Sequence, residues 1–148
     1  MTGKADFTAE EWESIVHGPP TAGLIVITAA HGGVFRETLA LTQSYSEARK
    51  QHGQSELLDE IVSHRPALDH THYHSPDELK SAGLDHLRSA VASLEQKATA
   101  DEVDAYKRFV HDLAGRVASA HREHGKNISD AEQAALDEIE ATLAAPSA

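Results

Sequence analysis

The sequence predicts an all-α protein: a compact bundle of six to seven helices around a buried apolar central helix. Three observations carry this reading. Four capping boxes occur: Thr8-Ala9-Glu10-Glu11, Ser75-Pro76-Asp77-Glu78, Thr99-Ala100-Asp101-Glu102 and Ser129-Asp130-Ala131-Glu132. In each, the hydroxyl can accept from an orphan backbone N–H of the first turn, and the acid three residues on can reach back. Apolar residues behind the boxes recur at helical spacing. Finally, the one β-branched run, Leu24-Ile25-Val26-Ile27-Thr28, has no second run to pair with, and a lone strand is not a sheet.

The elements follow in order. A helix over 9–17 starts at the first box, with Phe7 and Trp12 at the two hydrophobic-staple positions around it. His17-Gly18 followed by Pro19-Pro20 marks its end, because glycine caps helices and proline cannot continue them. A second helix over 20–31 is the apolar one, buried on every side. The alternative, a strand feeding a phosphate loop at His31-Gly32-Gly33, fails because the glycine spacing fits neither standard fingerprint. Helices over 34–52 and 54–64 come next. Pro76, in the first turn behind the second box, opens a helix over 76–97 with Leu79, Gly83, Leu87, Ala90 and Leu94 on one face. A helix over 100–124 carries Val103, Tyr106, Val110, Leu113, Val117 and Ala120, nearly a heptad stripe. The last helix, 130–144, holds Ile139 and Leu143, and the tail 144–148 is expected to fray. No linker or low-complexity stretch divides the chain, so 1–148 is expected to form a single domain.

Composition narrows the function classes. The 148 residues include no cysteine, which excludes disulfide scaffolds, thiolate zinc sites, iron–sulfur clusters and thiol nucleophiles. A formal charge of −11 argues against nucleic acid or anionic lipid as the main partner, since both demand positive faces. The first fifteen residues are polar and acidic, unlike a signal peptide. The longest apolar run, Ala22 to Ala30, is far shorter than the ~20 residues of a membrane span. These features predict a cytoplasmic protein that meets neither membrane nor nucleic acid. A protein partner or a homo-oligomer is expected instead.

Eleven histidines are the most unusual part of the composition. Four precede glycine (His17, His31, His52, His124), and His64 stands just before Arg65-Pro66. All five suit helix C-termini, where a histidine faces the negative end of the dipole. Three more alternate in Asp69-His70-Thr71-His72-Tyr73-His74, an arrangement that puts imidazoles on one side of an extended chain and suits Zn, Ni or Cu. If 76–97 and 100–124 form an antiparallel hairpin turning at Ala98-Thr99, His86 lies level with His111. The 72–74 loop then lies level with 123–125. His72, His74, His121 and His124 thereby become a candidate four-ligand metal site.

His111-Asp112 resembles the doublet of the HD metal-phosphohydrolase family, which is helical. Adjacent helical residues point ~100° apart, which makes joint coordination of one ion awkward. A further resemblance rests on two segments, Ala29-Ala30-His31-Gly32-Gly33-Val34-Phe35-Arg36-Glu37 and His124-Gly125-Lys126-Asn127-Ile128-Ser129-Asp130-Ala131-Glu132. Both run from a helix end through glycine and an aliphatic residue to an acid that opens the next helix. This looks like the helix-turn-helix of the TerB-like (tellurite-resistance type) small bacterial helical proteins. In that family the residue before the glycine is usually an aspartate linked to divalent metal binding, and His31 and His124 stand there in this chain. The resemblance implies an acidic helical module with a role in stress response or in an assembly.

No nucleophile elbow or glycine-rich phosphate loop appears, and most carboxylates fall in first turns, where they complement the helix dipole. The expected function is therefore a non-enzymatic helical interaction or regulatory module. The alternatives are a metal-binding or metal-sensing protein using His72, His74, His121 and His124, and a metal-dependent phosphohydrolase around His86, His111 and Asp112.

Overall fold

The computed structural model describes residues 4–29, 34–50, 56–63, 76–122 and 130–144. Six helices fill these ranges: α1 (Ala9–Ala29), α2 (Val34–Lys50), α3 (Glu56–Ser63), α4 (Pro76–Lys97), α5 (Ala100–Arg122) and α6 (Asp130–Ala144), after a short 3-10 turn at Lys4–Asp6. Among the described residues there is no strand, and the protein is an all-α bundle.

Two of the capping boxes form as their sequences require. The Thr8 amide donates to Glu11 Oε1 (2.9 Å) and the Glu11 amide donates to Thr8 Oγ1 (3.1 Å). Thr99 and Glu102 make the same reciprocal pair at 3.0 and 3.2 Å. Behind the first box, the rings of Phe7 and Trp12 lie 6.0 Å apart and close the staple. The other two boxes begin at Ser75 and Ser129, which lie outside the described residues, as does the tail beyond Ala144.

One boundary differs from the sequence reading. His17-Gly18-Pro19-Pro20 does not end a helix; α1 runs unbroken through it to Ala29, so the expected helices 9–17 and 20–31 are one. An interior proline costs ~3 kcal/mol or more, through its missing N–H and the clash of its ring with the carbonyl four residues back. The opposing term is burial. Every residue from Gly18 to Ile27 is buried, and each large aliphatic removed from water contributes roughly 1.5–3 kcal/mol. Ile15, Leu24, Ile25, Val26 and Ile27 together outweigh two prolines, provided the chain stays helical and keeps them in place.

A second factor lies at the break itself. The Ile15 carbonyl would normally accept from the amide of residue 19, and proline has none. The buried Tyr106 hydroxyl of α5 donates to it instead, at 2.9 Å. Thr21 Oγ1 donates to the His17 carbonyl (2.6 Å), adding a side-chain bond just past the prolines. Gly18 makes room for this arrangement, since a Cβ there would run into the Tyr106 hydroxyl and sit 3.2 Å from Leu87 Cδ2.

Four of the other five helices contact α1 directly. It contacts α4 most extensively, then α5, α6 and α2. Lys97 meets Glu11, Leu87 meets Gly18, and Gly83 meets Thr21 and Ile25, so α4 runs antiparallel to α1. Tyr106 meets Ile15 and Leu113 meets Gly23, so α5 runs parallel to it. The stripes expected on α4 and α5 are buried: Leu79, Leu87, Ala90 and Leu94 on one, Val103, Tyr106, Val110, Leu113 and Val117 on the other. α2 contributes Leu41, Ser44 and Tyr45 to the interior, and the Tyr45 ring meets Phe109 edge-on with centroids 5.4 Å apart. α3 packs on α2 and α5, and Arg49 Nε donates to the Val62 carbonyl in its last turn (2.7 Å).

The α1–α4 contact is close enough to demand glycine at position 83. A Cβ there would lie 2.7 Å from Thr21 Cγ2 and 2.8 Å from Ile25 Cδ1, while one at Gly115 on α5 would meet nothing within 4 Å. Gly83→Ala is therefore expected to lower stability by ~1–3 kcal/mol through overpacking. Gly115→Ala should raise it by ~0.5–1 kcal/mol through helix propensity. Paired thermal melts check this, and a Gly83→Ala variant as stable as Gly115→Ala would refute the close contact.

Candidate functional site

The helix directions decide which chain ends meet. With α4 antiparallel and α5 parallel to α1, the start of α4 at Pro76 and the end of α5 at Arg122 lie at the same end of the bundle as Ala29. His121 is the penultimate residue of α5. His72, His74 and His124, the other members of the candidate metal site, lie outside the described residues, as do His31, His52, His64 and His70.

The expected hairpin of 76–97 and 100–124 forms, but its helices lean on different neighbours. α4 packs mainly on α1, and α5 mainly on α2 and α1, with a smaller contact between α4 and α5 themselves. His86 and His111 are both exposed. His111 Nδ1 lies 3.6 Å from Asp112 Oδ1, on side chains 58% and 64% exposed. Among the described residues, no three His, Asp or Glu side chains gather into a group that could hold a metal ion. His17, expected to cap a helix end, is instead an exposed residue in the middle of α1.

What the described surface does carry is a set of ion pairs joining neighbouring helices. Lys97 Nζ lies 2.5 Å from Glu11 Oε1 and 5.8 Å from the centroid of the Phe7 ring, so one ammonium holds both the first box of α1 and the staple ahead of it. Glu47 of α2 pairs with Arg116 of α5, Lys80 of α4 with Glu138 of α6 (2.5 Å), and Glu95 of α4 with Lys107 of α5 (3.4 Å). The hydrogen bond from Lys97, with the Thr8 amide, holds the Glu11 carboxyl below the ordinary carboxylate range. Arg116 does the same to Glu47, and Glu47 in turn raises the Arg116 guanidinium. Outside these pairs, exposed acids such as Glu10, Glu13, Asp101, Asp104, Asp137 and Glu140 leave the outer faces acidic.

Three buried hydroxyls act on the backbone. Thr21 and Thr142 donate to carbonyls four residues back, at 2.6 and 2.8 Å, and Tyr106 fills the gap left by Pro19. Burial raises the phenols of Tyr45 and Tyr106 above their usual value. The role of Tyr106 was missed in the sequence, where it reads as one more apolar position. The available signal was Pro19-Pro20 inside an otherwise helical pattern, which leaves two carbonyls in need of a donor from elsewhere. Comparison with protein-family models, curated proteins and solved structures returns no match.

These groups bound the stability from both sides of neutrality. Glu11 and Glu47 have lowered folded values, so their stabilisation is present above the unfolded carboxyl value of ~4.3 and is lost as pH falls through the folded values. Tyr45 and Tyr106 have raised folded values, so theirs is present below ~10 and is lost as pH rises beyond it. In an alkaline titration, two of the three tyrosines should ionise only as the helical ellipticity collapses. Phenolate absorbance from two or more tyrosines near pH 10, with the helices intact, would contradict this.

Proposed function

We propose that this chain is a non-enzymatic helical interaction module that works through its acidic outer surface, with a protein partner or a second copy as its counterpart. One observation carries the reading: the buried polar groups whose bonds are described act on the backbone of the bundle itself, while the exposed ionisable groups pair across helix joints or face solvent. Such a division builds a rigid, charged shape. A charged surface gives partner choice and association rate more than raw affinity. The resemblance to the TerB-like proteins points the same way, toward a stress-related assembly.

A second reading, a Zn-, Ni- or Cu-binding protein using His72, His74, His121 and His124, is favoured by the helix directions. Pro76, which follows the His72–His74 run, and His121 belong to helix ends at one end of the bundle. A phosphohydrolase centred on His111 and Asp112 has no such support, since both side chains stand in solvent.

Metal analysis of the full chain purified without a tag separates the two. The interaction reading expects less than stoichiometric metal, together with a complex that weakens as salt rises, as surface charge contacts do. Replacing the exposed acids Asp137 and Glu140 by lysine should weaken that complex further. One bound metal per chain, lost in His72→Ala/His124→Ala, would instead establish the metal-binding reading.

A further inference from the structure

Helix α1 is built from two unequal halves. Beyond the prolines, Thr21 to Ile27 is buried on every side. Before them, the helix is one-sided: Trp12 and Ile15 are buried, while Glu10, Glu13 and His17 are exposed. Four main-chain bonds of an α-helix span any one peptide link. Across His17–Gly18, two of the four donors would be Pro19 and Pro20, which have no N–H. The carbonyls left over belong to Ile15 and Val16, and the Ile15 carbonyl is bound by Tyr106 from another helix. The first half of α1 is thus joined to the second by half the usual ladder and by one phenol of α5.

A further polar contact of this half, at its opposite end, is made by Lys97. Lys97, in the last turn of α4, pairs with Glu11 and lies over Phe7. Both partners are partly open to solvent, at 33% and 23% side-chain exposure, and a pair so placed is weak and sensitive to salt.

We propose that residues 5–17 form a strap that opens as one unit on the Gly18–Pro20 joint, latched by Tyr106 and Lys97, while Thr21–Ile27 stays in the core. Opening breaks the Tyr106–Ile15 bond and the Glu11–Lys97 pair, and it brings Phe7, Trp12 and Ile15 into solvent. Proteins open in contiguous units whose free energies range up to that of global unfolding. The strap is defined by its joint and latches, and it does not depend on the interaction reading.

Native-state hydrogen exchange on the full chain tests it. The amides of Glu13–His17 should exchange faster than those of Leu87–Leu94 on α4, by an opening that depends less steeply on denaturant than global unfolding does. Tyr106→Phe should speed the strap amides about tenfold, as expected for a buried carbonyl losing its donor, and leave the α4 amides within a factor of two. Trp12, the sole tryptophan, should then report a fluorescence change at lower urea than the loss of ellipticity. Pro19→Ala restores the missing amide, so Tyr106→Phe in that background should have less than a threefold effect on the strap. Should Tyr106→Phe fail to fold, Pro19→Ala alone still decides: it should slow strap exchange and leave α4 unchanged. Strap amides that exchange only with global unfolding, or a Pro19→Ala variant with unaltered strap exchange, would overturn the proposal.

Discussion

The hydrogen bond from the Tyr106 hydroxyl to the Ile15 carbonyl is the contact on which the arrangement of the bundle turns. Two consecutive prolines in the interior of a helix ordinarily break or kink it. Here the break would fall just ahead of the most apolar segment of the chain. A kink at that point would tilt Leu24–Ile27 against α4 and α5 and open the core at its centre. The phenol supplies a donor where the backbone cannot. It does so from a ring that is itself buried in the same core, so the bond and the apolar packing hold each other in place. An unpaired buried carbonyl costs ~1–3 kcal/mol, comparable to losing a whole aliphatic side chain from the interior.

A continuous α1 then dictates the positions of its neighbours. It lies against both helices of the α4–α5 hairpin, each of which makes broad contact with it, and the direct contact of α4 with α5 is correspondingly small. Gly83 lets α4 approach α1 closely, and Gly18 admits the Tyr106 hydroxyl. The surface ion pairs between helices decorate this frame more than they create it, since exposed pairs contribute only ~0–1 kcal/mol each. The exception in kind is Lys97, which acts on Glu11 and Phe7 together and so ties the start of α1 to the end of α4.

Most of the fold was legible in the sequence because its signals are local. The boxes at Thr8 and Thr99 and the stripes of α4 and α5 depend on residues three or four apart, and each appears as read. The helix end assigned to His17-Gly18 failed for the opposite reason. The rule that proline stops a helix is local, while the forces that overrule it come from α5, in a bond between residues 91 positions apart. The candidate metal site was the least legible. Of its four histidines, only His121 stands on a described helix; His72, His74 and His124 lie outside the described residues.

The same physics links stability to the way the molecule can act. In this bundle three buried hydroxyls, those of Thr21, Thr142 and Tyr106, are engaged with backbone carbonyls. Withdrawing the Tyr106 hydroxyl would leave the Ile15 carbonyl without a donor, whereas the carbonyls that Thr21 and Thr142 reach, four residues back, also lie in the helical ladder. Thr21 and Tyr106 serve the stretch of α1 around its two prolines, so replacing either would weaken the helix at its centre before it created a site. Among the described residues, the acids of α1, α5 and α6 and the imidazoles of His86 and His111 already stand in water. The prolines thus do more than interrupt a ladder. They commit the Tyr106 phenol of α5 to holding α1 together where its own backbone cannot.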